Sequence, residues 1–83
     1  MNTYNTKGTC SRQILYDITP EGTVSNVKFI GGCLGNLQAV SRLVEGMDAE
    51  KLIETLKGNK CGFKSTSCAD QLAIAIESAL NES

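Results

Sequence analysis

The apolar residues change period once, at Gly31-Gly32-Cys33-Leu34-Gly35-Asn36, and that change constrains the fold more than any other feature. Before it, apolar residues alternate. Ile14, Tyr16 and Ile18 share one parity, and Val27 and Phe29 share another, which is the mark of half-buried strands. After it, apolar residues recur every three or four positions. Leu37, Val40, Val44 and Met47 follow helical spacing, with Leu43 beside them. Pro20-Glu21-Gly22 separates the two alternating runs and predicts a β-hairpin. Asn2 to Thr6 supplies a candidate third strand.

Beyond the first helical run the punctuation is clear. Gly46 interrupts it near its end. Asp48 is a candidate N-cap for a second helix, with Glu50 in its positive first turn. Leu52, Ile53 and Leu56 form its apolar stripe, Gly58 is the expected C-cap, and Asn59 to Ser65 reads as a loop. The last helix is expected from Thr66-Ser67-Cys68. Asp70, three residues after Ser67, takes the acidic place of a capping box. Leu72, Ile76, Ala79 and Leu80 make its apolar face, widened by Ala73, Ile74 and Ala75. Strands first and helices after predict an α+β fold. It has a small antiparallel sheet of two or three strands, hairpin first, with three helices packed on one face.

Eighty-three residues make one small domain, 1–83, with a thin core and no room for a large catalytic barrel or a two-domain cleft. Lys plus Arg number 8 and Asp plus Glu number 9, a net charge of −1, which argues against nucleic acid or an anionic membrane held by bulk charge. The absence of His rules out imidazole catalysis and mixed Cys/His zinc fingers. No apolar run approaches the roughly 20 residues of a membrane span, and Met1 to Lys7 lack an apolar signal-peptide core. The expected location is the cytoplasm, where thiols stay reduced.

The candidate chemistry lies in four thiols: Cys10, Cys33, Cys61 and Cys68. Their gaps contain no Cys-x-x-Cys, so spacing alone says little about metal. Placement says more, because each falls at the expected edge of a strand, loop or helix. Gly32 and Gly35 flank Cys33 and permit tight turns with backbone N–H groups close to sulfur. A helix start beside Cys68 favours its thiolate. One reading is therefore a shared four-thiolate site. The other is a set of small buried hydrophobes, since Cys10 shares parity with Ile14, Tyr16 and Ile18. Asp70 is either a cap or a hydrogen-bonding partner to a ligand of that site. Gly35 and Asn36, entering a helix, form a candidate anion site without a recognised phosphate-loop pattern.

Gly8-Thr9-Cys10-Ser11, Gly31-Gly32-Cys33-Leu34-Gly35-Asn36, Leu43-Val44-Glu45-Gly46-Met47, Cys61-Gly62 and Thr66-Ser67-Cys68-Ala69-Asp70-Gln71-Leu72-Ala73 together resemble the TSCPD family over nearly the whole chain. That family includes small four-cysteine proteins, and a related domain lies near the C-terminus of adenosylcobalamin-dependent ribonucleotide reductases. Ala69 stands where the family name has Pro. A weaker similarity runs to iron–sulfur scaffolds of the IscU/NifU type. It implies an IscU-like fold with Cys10, Cys33 and Cys68 as ligands and Cys61 as an added thiolate.

The resemblance implies a metal-binding module, zinc or iron–sulfur, associated with ribonucleoside-diphosphate reduction and DNA synthesis. Its implied partners are a ribonucleotide reductase or a thioredoxin-like protein, and adenosylcobalamin enters only by family association. Two alternatives stand beside it. One is a thiol redox or electron-donor role for Cys61 and Cys68. The other is an interaction domain with buried free thiols.

Overall fold

The computed structural model of the chain describes residues 2–6, 11–31, 34–59 and 66–82. Three strands, β1 (Asn2–Asn5), β2 (Ser11–Ile18) and β3 (Val24–Gly31), form one antiparallel sheet in the order β1-β2-β3. Three helices follow: α1 (Leu34–Val44), α2 (Ala49–Leu56) and α3 (Cys68–Glu82). This is the expected α+β architecture, with the optional third strand present as β1.

The hairpin turn forms where Pro20-Glu21-Gly22 predicts it. The Gly22 N–H donates to the Thr19 carbonyl at 2.9 Å, and Thr19 N–H donates to the Thr23 carbonyl at 2.8 Å. Pro20 fits the turn's second position, and Gly22 supplies the left-handed residue, φ +86°, that a three-residue loop needs. The Thr19 and Thr23 hydroxyls close it at 2.7 Å.

One face of the sheet carries the core. Ile14, Tyr16, Val24, Val27 and Phe29 are buried there against Leu37 and Val44 of α1, Leu52 of α2, and Leu72, Ala75 and Ile76 of α3. Val24 is of opposite parity to Val27 and Phe29, yet it is buried with them. A β-bulge explains this. Phe29 pairs with Ile14 and Val24 with Ile18, so β3 advances five residues while β2 advances four. Asn26 is the extra residue, at φ +54°. Its backbone N–H donates to Glu45 and its side-chain amide to Asp17, at 2.9 and 3.0 Å. Asn tolerates this left-handed backbone better than other non-glycine residues.

The connection from α1 to α2 adds to the sheet edge. Helical spacing predicts that Met47 belongs to the stripe of α1, but α1 ends at Val44. Gly46 takes φ +78°, and its N–H donates to the Val24 carbonyl at 2.7 Å. The Val24 N–H in turn donates to the Met47 carbonyl at 2.8 Å, and Thr23 bridges Asp48. Backbone pairing with β3 therefore takes over from the helix. Met47 still packs on the core from this segment. Leu43, beside the stripe, is 76% exposed.

Asp48 caps α2 as expected, its carboxylate accepting the Lys51 N–H at 3.1 Å. Lys57, just past α2, reaches both oxygens of Glu77 on α3, at 2.7 and 2.9 Å. Among the described residues no helix is long and apolar enough to cross a membrane.

Candidate functional site at the start of helix α3

Cys68 is the first residue of α3, half-buried and packed against the core. Its surroundings are polar and ordered. Thr66, Ser67, Asp70 and Gln71 are all buried, and no buried side-chain nitrogen or oxygen among the described residues lacks a hydrogen bond. Buried polar groups at this density are tolerated only when all are paired.

The pairing is continuous. Gln71 Nε2 donates to Thr66 Oγ1 at 3.1 Å, and Thr66 Oγ1 donates to Asp70 Oδ2. The other Asp70 oxygen, Oδ1, accepts the Gly58 N–H at 2.6 Å. Ser67 Oγ accepts the Asp70 N–H at 3.0 Å and donates to the Asn59 carbonyl. The first of these Ser67 bonds is half of the expected capping box. The reciprocal half is replaced, because the carboxylate turns to Thr66 and to the exit of α2.

That substitution has a structural consequence. Gly58 and Asn59, at the end of α2, are tied directly to Asp70 and Ser67, at the start of α3. The positive end of α3 meets Asp70 in its first turn, which suits an acidic residue there.

Of the other candidate residues, Cys10, Gly32, Cys33 and Cys61 lie outside the described residues, as does the expected loop beyond Asn59. Their neighbours are placed. Ser11, which follows Cys10, pairs with Gly31, two residues before Cys33. Asn59, two residues before Cys61, bonds Ser67, which precedes Cys68. Among the described residues no group of three His, Cys, Asp or Glu side chains forms a metal site. Gly35 and Asn36 are exposed in the first turn of α1. Asp70 has both oxygens in the network that joins α2 to α3.

Periodicity and capping rules expose Ser67 and Asp70 as a helix start. They miss Thr66, Gln71 and Gly58 as partners of one buried network. The available signal was four polar residues, Thr66, Ser67, Asp70 and Gln71, clustered just ahead of the apolar run from Leu72 to Ile76.

No curated protein and no solved structure matches the chain, so the IscU-like description of the fold rests on residue pattern alone. The family model of the TSCPD domain matches residues 2–80, from the start of β1 to the last turn of α3. The match takes in the Thr66–Gln71 network and all four cysteines, and the chain belongs to the TSCPD domain family.

Proposed function

We propose that the chain is a four-thiolate metal-binding module that serves ribonucleotide reduction as an accessory. Cys10, Cys33, Cys61 and Cys68 are its ligands, for zinc or for an iron–sulfur cluster. The observation that carries this reading is the pairwise approach of the residues flanking the cysteines. The Ser11–Gly31 pairing brings the chain next to Cys10 alongside the chain entering Cys33. The Asn59–Ser67 and Gly58–Asp70 bonds do the same for the segments of Cys61 and Cys68. Ser11, Gly31, Asn59 and Ser67 each lie within two residues of a cysteine in sequence, a chain length of at most about 7 Å.

The donor set fits the group. Thiolates select zinc and iron–sulfur clusters over hard cations, and four of them complete a tetrahedral zinc. Zinc held by all four thiolates would have no position left for substrate, which suits a docking role rather than hydrolysis. A reducing cytoplasm keeps such thiols available. TSCPD domains are associated with the C-terminal regions of ribonucleotide reductases, which supports a reductase or a thioredoxin-like protein as the partner. A core of this size has no space for the cobalamin pocket and radical-shielding barrel of nucleotide reduction, so the reading assigns these residues an accessory role.

A second reading shares the same geometry. The bonds that tie Asn59 to Ser67 also favour Cys61 and Cys68 as a redox pair exchanging electrons with a dithiol partner. Metal and acid-labile sulfide content of oxygen-free protein, with thiols counted in parallel, separates the two. Stoichiometric zinc or iron, lost alike from Cys10→Ser, Cys33→Ser, Cys61→Ser and Cys68→Ser, supports the shared site. Metal-free protein that loses two thiols on mild oxidation, unless Cys61 or Cys68 is replaced, supports the pair. Metal-free protein with thiols inert to oxidation overturns both.

A further inference from the structure

Helices α2 and α3 meet along an open groove of about 620 Å³, lined by Glu50, Ile53, Glu54, Glu77, Leu80 and Asn81. Ile53 and Leu80 are half-buried and pack on the core, so they form an apolar floor. Glu50 and Glu54 stand one turn apart on α2, both exposed, and Glu77 faces them from α3. The groove reaches the last turn of α3, whose carbonyl end carries partial negative charge and has no basic side chain to offset it.

The imbalance is local. The chain as a whole carries only −1, yet α3 has no Lys or Arg along its length. Lys51, the only base within α2, is not among the groove's lining residues. Among the described residues one ammonium, that of Lys57, meets these carboxylates, and it is held by Glu77. Glu50 and Glu54 have no such partner among the described residues. An apolar floor between anionic walls is complementary to a side chain of the opposite pattern.

We propose that this groove docks a basic amphipathic segment of a partner protein. One apolar side chain of that segment rests on Ile53 and Leu80, and the Lys or Arg residues flanking it meet Glu50 and Glu54. Charge sets the orientation and speeds encounter, while the apolar anchor holds the segment in place. A bare cation satisfies the walls but leaves the floor exposed. An acidic segment is repelled. Among the described residues the groove's lining holds no cysteine, and its docking role needs no metal at the thiols.

The test uses the full chain and a fluorescent helical peptide with Leu at every third or fourth position and Lys between. Anisotropy is expected to report binding that weakens as salt rises. Replacing the peptide's Lys by Glu abolishes it. Glu54→Lys lowers affinity by about tenfold or more, as expected for one charge pair in a partly desolvated contact. Glu21→Lys, the same charge change on the hairpin turn, has little effect. Both variants are surface changes, and unfolding curves confirm that each is folded. Three results overturn the proposal: no binding of the Lys–Leu peptide, equal losses from Glu54→Lys and Glu21→Lys, or undiminished binding after the peptide's Leu residues become Ser. The last would leave only a cation site.

Discussion

Asp70 shows how one carboxylate serves two elements at once. Its oxygens accept from Gly58, at the exit of α2, and from Thr66, just before α3. Thr66 is the weak point, because its hydroxyl both donates to Asp70 and accepts from Gln71. Thr66→Val keeps the shape and removes both bonds, taking from Asp70 Oδ2 its donor inside a buried network. A loss of about 1–3 kcal/mol is expected in urea unfolding, and a change below about 0.5 kcal/mol would show the network to be incidental. A second residue-scale prediction concerns pH. The Asn26 amide donates to Asp17 and holds its carboxyl below the usual range. A depressed folded-state pKa stabilises the fold above the unfolded value, near pH 4, and the stabilisation is lost as pH falls through the lower folded value. Wild type is therefore expected to exceed Asp17→Asn in thermal stability at pH 7, with the gap closing in strong acid. A gap that stays constant from pH 7 down to pH 2 would mean the charge on Asp17 contributes nothing.

At the scale of elements, strands and helices were readable because their apolar periods differ, and their ends were readable where caps are local. Asp48 and the Pro20-Glu21-Gly22 turn are of that kind: each acts within three or four residues. The bulge in β3 and the end of α1 are not. Alternation alone would place Val24 on the open face, opposite Val27, and the bulge at Asn26 returns it to the core. The bulge is held by Asp17 and by Glu45, the latter 19 residues away, and no local pattern encodes such partners. Met47 left the predicted helix for the same reason, since its carbonyl pairs with Val24 across the sheet edge. The bulge makes a prediction of its own. Asn26→Gly and Asn26→Ala both lose the bond to Asp17, but only Ala opposes the left-handed backbone. The Ala variant is expected to be less stable than the Gly variant by about 1–2 kcal/mol. Equal stabilities would mean the strand re-registers and removes the bulge.

For the whole molecule, the order of elements was enough to read the fold class. The candidate site was readable only as a list of cysteines, because what brings distant segments together is tertiary. The pairing of Ser11 with Gly31 and the bond from Ser67 to Asn59 both join parts of the chain that sequence spacing keeps apart. That coupling ties the proposed metal to stability. A chain of 83 residues at ordinary per-residue values has about 4–12 kcal/mol in total. Leu72 is fully buried in the core of α3, and Leu72→Ala is expected to cost about 2–5 kcal/mol, a large part of that reserve. A metal bound only by the folded chain adds about 2.7 kcal/mol when free metal is one hundred times its dissociation constant. Buffered zinc is thus expected to restore much of the melting temperature lost in Leu72→Ala, and a chelator to remove the gain. The same zinc is expected to do little for Leu72→Ala combined with Cys68→Ser, where one ligand is gone. Rescue of both variants alike would mean that zinc acts elsewhere, and rescue of neither would separate the cysteines from the stability of the fold.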